Sequence, residues 1–228
     1  MFRSLLTIGA LALLAGCASR PVAPPATAQD WHARTIPGKK LTTYTWTEKD
    51  GRAALEATSD NSASLWRKKL DPMVAHVGEV QFSWWVQHLI PTASVADADR
   101  EDAVARVIFG FDGNVSKLPL ATRMKFELAE TLTGEEPPYA VLMYVWDTEL
   151  PIGTVVISPR SDRIRKIVVD SGPAELRRWR EHRRDLAADF RRAFGEAPGP
   201  LKSIAVMTDS DNTRSTAHSW YGMVELLP

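Results

Sequence analysis

The chain of 228 residues has one cysteine, Cys17. That excludes an intramolecular disulfide, a cysteine-based zinc site and a thiol redox pair. An excess of either charge is missing too: 28 Lys and Arg stand against 28 Asp and Glu. Loss of Arg3 with an N-terminal signal leaves roughly one net negative charge. Such neutrality argues against nucleic acid as a partner, because phosphate binding needs a basic face. His32, His76, His88, His182 and His218 are scattered without metal-ligand spacing. There is no nucleophile elbow, phosphate loop or zincin motif, so no catalytic residue and no required cofactor is assigned. Internal repeats are absent.

What is present begins with an address. A basic start at Arg3, an apolar run from Leu5 to Ala15 and small residues before Cys17 form a secretory signal, too short to span a bilayer. Leu14-Ala15-Gly16-Cys17 resembles the bacterial lipobox, which implies cleavage before Cys17, lipidation of its thiol and acylation of the new amine. Several acyl chains anchor a protein stably where one does not. Ala18 in place of Asp implies export to the outer membrane by the sorting rule of such lipoproteins. Residues 1–16 are thus expected to be a signal peptide, and residues 17–29, rich in Pro and Ala, a lipidated tether. Residues 30–228 have the length of one domain with a core of its own.

The domain reads as mainly β. Short runs rich in β-branched and aromatic residues recur between turn signals, as in a sandwich or barrel. Strands are expected at Thr43 to Glu48, Ala53 to Thr58, Ser64 to Lys69, Val80 to Gln87 and Val104 to Phe111, with Lys49-Asp50-Gly51 as a hairpin turn. Alternation sends Val80, Phe82, Trp84 and Val86 one way and Gln81, Ser83, Trp85 and Gln87 the other. Tyr139 to Trp146 is apolar on both faces, which predicts a central strand. Gly153 to Ile157 and Ile164 to Asp170 should pair as a hairpin, and Ser203 to Thr208 and Trp220 to Leu226 should close the fold.

Two helices are expected. Leu118, Ala121, Met124, Leu128 and Leu132 have helical spacing, placing a short helix from Pro119 to Leu132. A long amphipathic helix is read from Pro173 to Phe194, with Leu176, Trp179, Leu186, Phe190 and Phe194 as its buried stripe and Gly195 as its stop. Its arginines, Arg177, Arg178, Arg180, Arg184, Arg191 and Arg192, then form a solvated face offset by Glu181 and Asp185.

Several segments resemble a known family: Trp84-Trp85, the run from Asp97 to Val107, Phe111-Asp112-Gly113, Tyr144-Val145-Trp146, the run from Asp189 to Gly195, and the run from Met207 to Thr213. Together they are similar to an uncharacterised family of bacterial envelope proteins, domain of unknown function 3047, over nearly everything from Trp31 onward. The resemblance implies a jelly-roll-like β-sandwich, related in architecture to carbohydrate-binding modules, and an envelope location. It brings no established activity, and fold likeness alone licenses none. The Leu118 to Pro138 insertion makes this chain longer than a minimal domain of that kind.

Three groups of residues are candidates for chemistry. Trp85 lies on a polar strand face, and Trp66 and Trp220 have polar neighbours, so these indoles are candidate platforms for a sugar. Asp209, Asp211 and Asn212 place hard oxygen donors together, as a calcium site needs, although the same run is what an Asx-rich turn looks like. Asp97, Asp99 and Glu101, with Asp209 and Asp211, could act as a glycosidase carboxylate pair; a salt-bridged loop involving Arg100 or Arg106 is the plainer reading. The favoured function is a non-catalytic, membrane-anchored module binding a glycan or another envelope ligand. The alternatives are a polysaccharide hydrolase and a structural envelope protein with a protein partner.

Overall fold

A computed structural model describes residues 20–227. The segment expected to be a signal peptide, and Cys17, lie outside the described residues. In chain order the strands are β1 (Arg20–Pro21), β2 (Trp31–Thr35), β3 (Thr43–Lys49), β4 (Arg52–Asp60), β5 (Ser64–Val74), β6 (Glu79–Val86), β7 (Arg106–Phe111), β8 (Ala140–Asp147), β9 (Val155–Ile157), β10 (Ile164–Ser171), β11 (Trp179–Asp185), β12 (Leu201–Met207), β13 (Thr216–Tyr221) and β14 (Glu225–Leu226). The helices are α1 (Leu120–Thr133), between β7 and β8, and α2 (Leu186–Phe194), which follows β11 directly.

The strands form two seven-stranded sheets. The first runs β1-β3-β4-β13-β6-β11, with β14 also on β6, and the second runs β2-β5-β12-β7-β8-β10-β9. The fold is therefore mainly β, a sandwich with two helices. Between the sheets lies one large core in which Phe82, Trp84, Phe109, Phe111, Tyr144 and Trp146 are almost fully buried. The alternation read in β6 holds: Val80, Phe82, Trp84 and Val86 all enter this core.

Local chemistry accounts for the joints. Asp50 and Gly51 both have positive φ (51° and 76°) between β3 and β4, the conformation that a two-residue hairpin demands and Asp-Gly supplies. Gly134 at φ 69° ends α1, and Gly195 at φ 74° ends α2. The doubly apolar β8 is central, hydrogen-bonded to β7 on one side and parallel to β10 on the other. β9 and β10 pair antiparallel as expected.

The long helix expected from Pro173 to Phe194 is corrected. Only Leu186–Phe194 is helical, with the Asp185 side chain capping the Ala188 amide at 2.8 Å. Trp179–Asp185 is a strand paired with β6. Its alternation is hidden because the side chains turned toward buried partners are charged: Arg180 and His182 meet Asp170, and Arg184 meets Asp189. The arginines taken as a solvated helix face include two, Arg180 and Arg184, that neutralise buried carboxylates.

The later part of the segment expected to be a Pro/Ala-rich tether runs along the sandwich. Arg20 and Pro21 pair with Glu48 and Thr47 on β3, the Val22 amide donates to the Trp46 carbonyl at 2.9 Å, and Ala28 is buried. The chain is pinned to the sandwich well before residue 30.

Candidate functional site

On the outer face of an ordinary sandwich, strand residues alternate to polar. The second sheet breaks that rule. Leu65 on β5, Ala205 and Met207 on β12, Ile108 on β7, and Val141 and Met143 on β8 all point away from the core, and Ile36 and Ala63 join them. They form the floor of a cleft of about 450 Å³. Gly110 lets its walls close in, since a Cβ there would meet Ser203 Oγ at 2.7 Å and Pro138 Cγ at 2.8 Å. The cleft lining contains no aromatic side chain among the described residues.

Polar groups gather along one part of the rim. The loop from Ile90 to Ala105 folds across β8, β9 and β10, with Val95 and Ala103 packing on Val145, Val156 and Val168. This carries Glu101 to the fully buried Lys166, whose ammonium donates to the Glu101 carboxylate and to the Val95 carbonyl. Glu101 accepts further bonds from Ser158 Oγ at 3.0 Å and Arg160 Nε at 2.8 Å. Arg106 meets Asp209 through Nε and Nη2, each at 2.9 Å. Asp209 also accepts from the Ala103 amide at 3.0 Å. Asp102 receives Thr213 through its amide (2.7 Å) and hydroxyl (2.6 Å) and the Asn212 amide at 3.1 Å, and Lys39 pairs with Asp211.

The electrostatics follow from burial set against these partners. Burial pushes Lys166 down to about 8, helped by the Arg106 charge and opposed by Glu101. Burial pushes Asp209 up to about 6 against the pull of Arg106. For Glu101 burial is outweighed by the hydrogen bond and charge of Lys166, with Arg106 and Arg160 adding to it, so its carboxyl lies below the usual range.

The residues singled out from sequence fall in different places. Asp209 and Asp211 do converge, with Asp102, so that one oxygen of each lies within 4.8 Å of the others. Arg106 and Lys39 supply positive charge there, as a divalent ion would elsewhere. Asn212 turns its side-chain nitrogen to the Ala98 carbonyl at 3.1 Å. Asp97 accepts from the Asp99 amide at 3.0 Å and from Arg100 Nε at 2.9 Å, a salt-bridged turn. Of the tryptophans, Trp85 and Trp220 meet edge to face, 4.9 Å apart, on the outer face of the first sheet. They are 7% and 3% exposed, with Lys49 Nζ 3.5 Å above the Trp85 ring, so neither offers a free face to solvent. Trp66 sits apart from them, against Tyr44 at the edge of the core.

Sequence reasoning missed the cleft itself. Its signal was the second apolar set in β8, Val141, Met143 and Val145, read as burial in a central strand, together with small or aliphatic outer residues in β7 and β12.

Fold and site together define a two-sheet β-sandwich with a cleft on the outer face of one sheet, apolar in its floor and ionic along one part of its rim. The chain belongs to the family described as protein of unknown function (DUF3047), which it matches over residues 29–225. None of the curated proteins matches it.

Proposed function

We propose that this protein is a non-catalytic binding module of the bacterial cell envelope, held by lipid at Cys17 on the periplasmic side of the outer membrane. Its cleft seats the aliphatic part of an amphipathic envelope ligand. The carrying observation is the floor of Leu65, Ile108, Val141, Met143, Ala205 and Met207, a surface of branched and thioether side chains that suits a hydrocarbon chain. A sugar ring would favour an open indole, and the two tryptophans that stand together, Trp85 and Trp220, are covered. A glycan or other polar head, where the ligand carries one, meets Lys39, Asp211 and Asn212 at the rim.

Binding is favoured over hydrolysis by the state of the carboxylates. Glu101 is committed to Lys166, Ser158 and Arg160, and Asp209 to Arg106 and Ala103. The pair is thus held in charge-neutralising contacts rather than presented to a glycosidic bond.

The test is extraction of the protein, purified from its membrane in mild detergent, followed by mass spectrometry of what leaves it on unfolding. A stoichiometric amphiphile with a long aliphatic chain supports the reading. Retention of soluble oligosaccharides alone, without such a chain, overturns it.

A further inference from the structure

The cleft does not end at Gly110. The register of the second sheet places Lys69, Ser203, Gly110 and Val141 in one cross-strand row, and Arg67, Ala205, Ile108 and Met143 in the next. Along β5 the outward positions therefore pass from apolar Leu65 to Arg67 and then Lys69. At that end the floor leads, past Arg67, Pro138 and Ser203, into a second cavity of about 270 Å³. Its opposite wall is the loop over residues 134–138, which leaves α1 through the left-handed Gly134. α1 itself buries none of its residues, and Leu120, Met124, Leu128 and Leu132 face water; what it brings to the cavity is this loop.

Cations converge there on one oxyanion. Glu135 accepts from Arg67 Nη2 at 2.9 Å and 3.3 Å, pairs with Lys69 Nζ at 3.0 Å and has Arg34 Nη2 at 3.7 Å. Burial raises the Glu135 pKa, but the hydrogen bonds of Lys69 and Arg67, with the charges of Arg67 and Arg34, hold it below the usual carboxylate range. Lys202, at the register shift in β12, lies in the same wall and donates to Glu136 at 3.0 Å. Four cations thus face two carboxylates, an excess of two positive charges. The Nε–H of Arg67 is, in addition, buried without a hydrogen-bond partner among the described residues. A buried donor left unmet is costly, and a guanidinium fork matches the oxygens of a phosphate.

We propose that this cavity seats the phosphate of an alkyl phosphate monoester whose chain runs along the cleft floor. Such a group carries a charge of about −1.5 to −2 near neutral pH and offers three acceptor oxygens, which meets both the excess of charge and the donors of Arg67, Lys69 and Lys202. Glu135 is the internal counter-ion that the phosphate replaces. Ser203 lies near the start of β12, whereas Met207 at its end leads to Asp209 and Asp211, so the phosphate sits at the opposite end of the cleft from Lys39, Asp211 and Asn212. The inference rests on the aliphatic-ligand reading above, and its test is built to fail separately from it.

The mature chain from residue 17 is made with Cys17→Ser, so that it needs no detergent. Decyl phosphate and decanol are compared by displacement of Nile red, a neutral apolar dye, and inorganic phosphate is titrated by calorimetry. Decyl phosphate should bind about tenfold or more tighter than decanol, and inorganic phosphate, without the chain, about tenfold or more weaker than decyl phosphate. Arg67→Gln with Lys69→Gln should abolish the preference for phosphate and leave decanol unchanged, with circular dichroism reporting the fold. Lys69→Gln alone, at a side chain 53% exposed, should reduce the preference by about threefold and carries the test if the double variant does not fold. Glu135→Gln, which removes the counter-ion, should tighten decyl phosphate by about fivefold. Equal binding of decyl phosphate and decanol to the parent leaves the apolar cleft standing and overturns the proposal. A preference for phosphate that survives in the folded double variant, or weaker decyl phosphate binding in Glu135→Gln, overturns it as well. Inorganic phosphate as tight as decyl phosphate does so too, since the site would then serve a free anion. Binding of neither alkyl compound removes the aliphatic-ligand reading, and this proposal with it.

Discussion

Arg106 and Asp209 meet fork to fork, Nε to Oδ1 and Nη2 to Oδ2 at 2.9 Å each, with side chains only 4% and 5% exposed. The pair joins the start of β7 to the end of β12 beneath the cleft rim, and the Ala103 amide ties the covering loop to the same carboxylate. A buried pair of this kind is costly to break from one side, because the remaining charge has no water to return to.

Asp209→Ala is accordingly expected to destabilise the fold by about 3–5 kcal/mol. Joint replacement, Arg106→Met with Asp209→Leu, should recover part of that loss, since an apolar pair leaves no buried charge unpaired, while the Ala103 amide and the Glu101 carbonyl still lose their partners. Urea denaturation of the single and double variants checks this. Equal losses in both would mean that the pair matters for shape rather than charge.

Acid stability should depend on Asp170. Its carboxylate accepts Trp84 Nε1 at 2.7 Å, His182 Nε2 at 2.8 Å and Arg180 Nε at 3.1 Å. Burial alone would raise its pKa, but His182, then Trp84 and Arg180, hold it below the usual range. An acid whose folded value is depressed stabilises above its unfolded value, about 3.9, and loses that contribution as pH falls through the lower folded value. Stability measured by urea at a series of pH values should therefore fall below about pH 4. Asp170→Asn should flatten that part of the acid limb and cost about 3 kcal/mol near neutrality. An acid limb as steep in the variant as in the parent would contradict the assignment.

Trp85 should behave as a packing residue. It is wedged among Ala54, Trp220 and Trp179, with Lys49 above it. Trp85→Ala is expected to cost about 3–5 kcal/mol and to leave binding of an acyl probe unchanged, because the cleft is on the other sheet. Unfolding curves and probe titration of the variant separate the two effects. A selective loss of glycan binding with little loss of stability would restore the tryptophan as a ligand contact.

Much of the framework was legible from local signals. Asp50-Gly51 marked its hairpin, the β6 alternation separated Trp84 from Trp85, and the Leu118 to Leu132 spacing located α1. Misreading began where charge faced inward. β11 reads as a polar helix because Arg180, His182 and Arg184 occupy the alternate positions that apolar residues usually hold, and their partners Asp170 and Asp189 lie elsewhere in the chain. α1 has the reverse ambiguity: its periodicity is clear, but periodicity does not say whether an apolar stripe faces the core or the water. The cleft was invisible for a related reason. Val141 and Met143 announce burial, and only the sheet order shows that what buries them is a groove between β5 and β10.

Equilibrium titration with a fluorescent long-chain fatty acid, comparing the parent with Ala205→Phe, tests the central claim most directly. Ala205 lies in the cleft floor, 3% exposed, where a phenyl group would occupy the space assigned to the aliphatic chain. The account predicts saturable binding to the parent, weakened at least about tenfold in the folded variant by loss of the apolar contact. Undiminished binding in Ala205→Phe, or no binding to the parent, would contradict it.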